Sequence, residues 1–94
     1  MAMVELDQMK FELQSYENTL HEVKDSLDLE GKKKRIEELE MEMEAPGFWD
    51  DPARSQKAVM RTKQLEHKRD KYEGMCRSWD DLMTICEMAL EEND

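Results

Sequence analysis

Apolar residues recur along the chain at alternating steps of three and four, a spacing that places them on one face of an α-helix. The first series predicts a helix over residues 4–27 and consists of Leu6, Met9, Leu13, Tyr16, Leu20, Val23 and Leu27. Its phase then slips at Asp28, a residue type that favours the N-cap position. A second series predicts a helix over residues 29–45 and consists of Leu29, Lys32, Ile36, Leu39 and Met43.

A turn rich in proline and glycine follows the second helix. Pro46-Gly47 predicts the helix end, because proline moves its predecessor out of the helical region. Asp51-Pro52 matches an N-cap followed by proline at the first helical position, where proline's missing N–H costs nothing. We expect Phe48 and Trp49 to close the end of a helical bundle rather than to bind a ligand. The structural residues of this turn and cap are Pro46, Phe48, Trp49, Asp51 and Pro52.

The third series is the longest and predicts a helix over residues 52–91. It runs without a phase slip through Ala58, Thr62, Leu65, Arg69, Tyr72, Cys76, Trp79, Met83, Cys86 and Leu90. Gly74 lowers helix stability by about 1 kcal/mol relative to alanine, so a kink there, dividing the helix into two, is an open alternative. Met75, Leu82 and Ala89 widen the apolar face, which predicts that the later half is the better buried.

Together these patterns predict an all-α fold, an antiparallel bundle of three helices in one domain spanning residues 1–94. The lengths also allow a long helical hairpin. We favour the bundle, because Val4 and Phe11 lie off the main apolar face of the first helix and a third helix would cover them.

Composition makes the chain strongly acidic, with 24 Asp and Glu against 14 Lys and Arg, a net charge of −10 and a mean hydropathy of −0.96. No segment approaches the roughly 18 consecutive apolar residues of a membrane span, and none resembles a signal peptide. Cys76 and Cys86, on one helix, would lie about 15 Å apart, too far for a disulfide. These features predict a cytoplasmic protein, with Met1 and Ala2 as remnants of cloning.

Charge is distributed in blocks, and the one basic block is residues 52–77, with eight bases and three acids. One flank of the third helix carries the basic residues Arg54, Lys57, Arg61, Lys68 and Lys71. One interpretation is that they face the glutamates of residues 37–44 across the turn, as in many antiparallel helix pairs. The other is a contact surface for RNA phosphate or for an acidic protein.

Motifs for chemistry are missing from these 94 residues. His21 and His67 have no second ligand at metal spacing, and no glycine-rich phosphate loop or nucleophile motif occurs. Carboxylates on an amphipathic helix are solvated and lack the pocket that a general acid needs. We therefore predict no catalytic residue, cofactor, metal or small-molecule substrate.

The order of these elements resembles a known family. The segment LDLEGKKKRIEELEMEMEAPGFWDDPARSQKAV and the acidic end ALEEND are similar to the N-terminal domain of the bacterial class I peptide chain release factors, in the form of the release factor 2 family. The most specific part is an ordered set, and its order and spacing carry the resemblance rather than any one member: Leu27-Asp28, residues 33–39, Pro46 and residues 48–53. The resemblance covers nearly the whole chain, which would then be the N-terminal fragment of a larger factor.

This resemblance implies a role in translation termination, in which the full factor directs termination at the stop codons UGA and UAA and triggers peptidyl-tRNA hydrolysis by the ribosome. The family's Gly-Gly-Gln and Ser-Pro-Phe tripeptides are absent from this sequence, so no catalytic residue is carried over. The family's N-terminal domain docks near the stalk base and GTPase-associated region of the large subunit. The implied partners are the ribosome and the GTPase release factor, with RNA contact through the basic residues.

Two other functions remain open from the sequence. One is a free-standing helical adaptor or coiled-coil protein whose whole function is partner binding. The other is a helical arm of an RNA-modifying or aminoacylating enzyme, which would bind tRNA with strong salt dependence.

Overall fold

The computed structural model describes residues 3–93 and confirms the all-α class predicted from the sequence. Its elements are α1 (Met3–Leu27), α2 (Leu29–Glu44), a 3-10 turn (Phe48–Asp50) and α3 (Pro52–Asn93). Within the described residues there is no β-strand. Each observed helix end lies within about two residues of the end predicted by periodicity. Met1 and Ala2, predicted to be cloning remnants, lie outside the described residues.

The third helix is continuous over 42 residues. Helical structure passes through Gly74 without interruption, so α3 is not divided and no fourth helix forms. All ten positions of its apolar series are buried or half-buried, as the unbroken phase requires.

Two compact units divide the chain, and α3 contributes to both. One unit, Leu27–Tyr72, pairs α2 with the first part of α3 through the short turn, which makes the two helices antiparallel. Its hydrophobic core consists of Ile36, Leu39, Phe48, Ala58 and Leu65, with Met43 packed against it. The two buried hydroxyls donate to backbone carbonyls of α3: Thr62 to Ala58 at 2.9 Å and Ser55 to Pro52 at 3.2 Å.

The other unit pairs α1, as far as Ser26, with α3 from Glu73 onward. The Trp79 indole N–H donates to the Leu13 carbonyl at 2.6 Å, and Lys10 lies 3.8 Å from Glu87. Residue numbers therefore fall along α1 as they rise along α3, so this pair is antiparallel too. Its buried apolar side chains, among the residues described, are Leu6 and Cys86.

Two expectations about burial are wrong. The first part of α3 is the better buried, because Met75 and Leu82 in the later part are 41% and 49% exposed. Val4 and Phe11, expected to lie under a third helix, are 77% and 72% exposed. In a two-helix unit each helix has one neighbour, and a residue more than about a quarter turn from that contact stays in water.

A single residue, Asp28, separates α1 from α2. Its backbone is left-handed at φ 52°, and its side chain accepts a hydrogen bond from the Gly31 N–H at 3.3 Å. The Lys32 ammonium donates to the Leu27 carbonyl, one of the last carbonyls of α1, which has no partner inside that helix. A Cβ on Gly31 would lie 2.2 Å from the Asp28 carboxylate, so glycine is what lets this cap approach its helix.

Two glycine-to-alanine substitutions test this geometry. Gly74→Ala should stabilise the chain by about 1 kcal/mol, because Gly74 lies inside a helix and its nearest neighbour, Arg77, would be 3.8 Å from the new Cβ. Gly31→Ala should give no such gain, because the methyl group displaces the Asp28 cap, worth about 1 kcal/mol. Thermal unfolding followed by circular dichroism measures both. In the Asp28→Gly variant the obstructing carboxylate is gone, so adding Gly31→Ala should raise the free energy of unfolding. No increase would contradict the steric explanation.

The core of the Leu27–Tyr72 unit can be tested at Leu65, which is 2% exposed. Leu65→Ala should lower the free energy of unfolding by about 2–5 kcal/mol, because it removes buried methyl groups and leaves a cavity. Met60→Ala, at a side chain 55% exposed on the same helix, is the matched control and should change it by less than about 0.5 kcal/mol. Equal effects in urea unfolding would show that α2 does not cover Leu65.

Candidate interaction surface

The five basic residues singled out on α3 form one exposed row, called here the basic strip: Arg54, Lys57, Arg61, Lys68 and Lys71. Arg54, Arg61 and Lys68 each precede a buried residue of α3 by four positions, so the strip runs beside the packed face. Residues 54–71 span about 25 Å of helix. The strip is therefore long enough to contact several phosphates of a nucleic-acid strand.

The basic strip lacks direct ion pairs with carboxylates among the described residues. Within residues 3–93, no ion pair joins any of its five residues to an acid. Arg61 makes a long hydrogen bond of 3.4 Å to Gln64, its neighbour on the same helix. No direct ion pair therefore supports the interpretation that the strip faces the glutamates of α2, which stays untested.

Two glutamates of α2 have a partner on their own helix. Arg35 lies 3.1 Å from Glu38 and 3.9 Å from Glu42, all on the solvent side of α2. Exposed pairs of this kind contribute no more than about 1 kcal/mol each. The strip thus keeps its positive charge available for a partner.

The turn before α3 is built on one buried and one exposed aromatic ring. Phe48 is 4% exposed and belongs to the core, whereas Trp49 is 61% exposed. The two rings meet edge to face at 4.8 Å, and the Trp49 indole N–H donates to the Met43 carbonyl at 3.1 Å. Gly47 provides the left-handed backbone, at φ 81°, that follows the exposed Pro46. Of the two rings expected to close the helical end, Phe48 is buried and Trp49 braces the turn from outside.

Asp51 fixes the start of α3 and so the first residue of the strip. Its carboxylate accepts from the Arg54 N–H at 3.2 Å, and its carbonyl accepts from the Ser55 N–H at 3.0 Å. Pro52 is the first residue of the helix, where it needs no hydrogen-bond acceptor. The cap therefore sets the position of Arg54.

Metal-ligating side chains are not clustered in the part of the chain described. No cluster of three His, Cys, Asp or Glu side chains there could hold a metal ion. Cys76 and Cys86 are both free thiols. Among the described helices none has an apolar stretch long enough to cross a bilayer.

The sequence patterns missed one surface of the other unit. Ile85 and Met88 are 60% and 56% exposed on α3 and lie off its main apolar series. Together with Leu82 they form a second row at steps of three, a signal that was available in the sequence but weaker than the main series. The hydrogen bond from Trp79 to Leu13 was also missed, since periodicity does not report on contacts between helices.

The described part of the chain is all-α and carries a basic strip whose five residues have no ion-pair partner within residues 3–93. No protein-family model and no solved structure matches it. Curated relatives do match, and all three compared here carry the name peptide chain release factor 2. Identity is 35% over 97% of the chain for Clostridium perfringens and 32% over 99% for Lactiplantibacillus plantarum. For Streptomyces avermitilis it is 35% over the whole chain.

The chain is thus a homologue of a segment of peptide chain release factor 2, and the family resemblance read from its sequence is confirmed. It spans about a quarter of the length of these relatives, 25% in each of the three.

The cap that positions the strip gives a direct test. Asp51→Ala should lower the free energy of unfolding by about 1 kcal/mol, because the Arg54 N–H loses its acceptor at the helix start. Asp50→Ala removes the same charge one residue earlier, where the side chain does not cap α3, and should have a much smaller effect. Chemical denaturation of both variants measures the difference, and equal losses would assign the effect to charge rather than capping.

Proposed function

We propose that this chain serves in translation termination as the accessory N-terminal segment of a bacterial release factor 2. In this proposal the complete factor works in the cytoplasm and directs termination at the stop codons UGA and UAA. Support comes from the similarity to release factor 2 over nearly the whole chain and from the turn at residues 48–52, which the family resemblance includes.

The segment's task in this proposal is to dock and orient the factor on the ribosome, near the stalk base and GTPase-associated region of the large subunit. The observation that carries it is the basic strip, which projects five unpaired cations from a chain whose net charge is −10. Such a polarised surface binds an anionic polymer in one orientation, because the acidic faces are repelled. Ribosomal RNA phosphate is the partner proposed for the strip.

Catalysis is assigned elsewhere in the factor. The 94 residues contain neither Gly-Gly-Gln nor Ser-Pro-Phe, the tripeptides with which the family reaches the peptidyl transferase centre and reads the codon. The chain contributes rigid helices and charge, and the ribosome performs peptidyl-tRNA hydrolysis. The GTPase release factor is a second partner in this proposal, reached from the same docked position.

Charge reversal in the complete factor tests the docking role. Arg61→Glu with Lys68→Glu should weaken binding of the factor to stop-codon ribosomes on the order of tenfold, because two phosphate contacts become repulsive. Circular dichroism should show unchanged helicity, since neither residue makes an ion pair within residues 3–93. Binding is measured by filtration or by fluorescence at two salt concentrations, and the variant should show the shallower salt dependence.

The matched control reverses Lys34 and Lys63, two exposed bases outside the strip. It changes the net charge by the same amount and should leave affinity within about twofold, because contacts rather than total charge determine docking. Equal weakening by both double variants, or none by either, would argue against the strip as a ribosome contact.

The downstream reading frame separates this proposal from a free-standing adaptor. Codons for Ser-Pro-Phe and Gly-Gly-Gln in frame after residue 94 would support the release factor assignment. A stop codon in their place would favour the adaptor, in which partner binding is the whole function.

A further inference from the structure

The unit formed by α1 and the later part of α3 contains an open groove of about 410 Å³. It is lined by Leu6 and Met9 of α1 and by Ile85, Cys86, Ala89 and Glu92 of α3. Leu6 and Cys86 form its floor, because they are 5% and 4% exposed. The lining is mostly apolar, so water in the groove lacks hydrogen-bond partners and is easily displaced by an apolar side chain.

Exposed apolar side chains continue from the groove along both helices. Met9 is 40% exposed, and Tyr16, seven residues further along α1, is 58% exposed. On α3, Ile85 and Met88 are 60% and 56% exposed, and Leu82, one turn before Ile85, is 49% exposed. Positions separated by three, four and seven residues share one helix face. Each wall is therefore a row of apolar side chains along its helix.

Acidic residues border both walls. Glu5 and Glu12 lie four residues before and three residues after Met9, and Asp81 lies four residues before Ile85. Glu92 lines the groove, and helix spacing puts the other three beside its walls, so the four form an acidic rim. All four are exposed, and within residues 3–93 none has an ion-pair partner. The nearby cation Lys10 is already engaged, 3.8 Å from Glu87.

We propose that this groove is a docking site for a basic amphipathic helix of a partner protein, with its apolar residues on Met9 and Ile85 and its Lys or Arg residues against the acidic rim. An amphipathic helix presents apolar anchors at positions i, i+3 or i+4, and i+7, the spacing found on both walls. The surface differs from the basic strip in location, charge and class of partner.

Charge complementarity selects this occupant over a second copy of the same face. Two such faces brought together would oppose eight carboxylates, four from each copy, and like charges across an interface are strongly unfavourable. A basic helix relieves the repulsion among the rim carboxylates as it buries the apolar walls. The same argument disfavours nucleic acid, whose phosphates would meet the carboxylates.

The test uses the 94-residue chain and a fluorescent helical peptide of about 18 residues, with leucines on one face and lysines on the others. Two further peptides are the controls. One replaces every lysine by glutamate, and the other keeps the composition but scrambles the apolar spacing. Fluorescence anisotropy should detect binding of the basic amphipathic peptide alone, with affinity falling as salt rises.

Two single substitutions separate the groove from general acidity. Ile85→Glu should weaken peptide binding by at least about tenfold, because it places a charge among the apolar anchors. Phe11→Glu makes an equivalent change at a side chain 72% exposed, two positions from Met9 and so on another face of α1. It should alter affinity by less than about twofold, since the added charge is the same and only the site differs.

The rim has its own matched pair of variants. Glu5→Gln with Glu12→Gln should weaken binding several-fold, whereas Asp7→Asn with Glu22→Gln, outside the groove, should leave it nearly unchanged. Methyl NMR locates the bound peptide on the chain. The Met9 and Ile85 signals should shift as the peptide is added, and those of Met41 and Met60 in the other unit should not.

Several results would overturn the proposal. They are comparable binding of the scrambled or acidic peptide, equal losses in Ile85→Glu and Phe11→Glu, and the absence of detectable binding at low salt. Sedimentation provides a separate check. Self-association that Ile85→Glu abolishes would assign the face to a second copy of the chain, and the partner helix would be rejected.

Discussion

The structure depends on one continuous helix whose apolar face must be covered by two shorter helices. α3 runs from Pro52 to Asn93 without a break, and its residues contribute to both compact units. An isolated amphipathic helix is marginal in water, so its stability comes from packing that face against a neighbour. Asp28 makes this possible, because its left-handed backbone ends one helix and caps the next within a single residue.

Much apolar surface remains accessible because each unit consists of only two packed helices. A helix with one neighbour buries one face, and the other apolar side chains stay in water unless a partner covers them. The Leu27–Tyr72 unit is the better packed, since its turn adds Phe48 to the core. The α1-containing unit buries less and retains an open groove beside Ile85. The α1-containing unit therefore has more exposed apolar surface that a partner could bury.

Charge follows the same division. The basic strip lies in the Leu27–Tyr72 unit, and the acidic groove rim lies in the other. Both sets of charges lack ion-pair partners within residues 3–93, so each surface offers its charge to a different kind of molecule. The strip suits phosphate, whereas the groove adds apolar contacts that suit a helix. The two proposed partners, RNA phosphate and a basic helix, differ in charge and would therefore bind different units.

The secondary structure follows from local sequence. Helical periodicity, the phase slip at Asp28 and the Asp51-Pro52 cap are local properties, so the three helices were predictable to within about two residues. The motif order also pointed to the release factor family. Three features depend on how the helices pack: Phe11 and Leu82 stay exposed, the strip has no ion pair within residues 3–93, and Trp79 donates a hydrogen bond to Leu13. Periodicity assigns a residue to a face of its own helix, but the neighbour across that face comes from distant sequence.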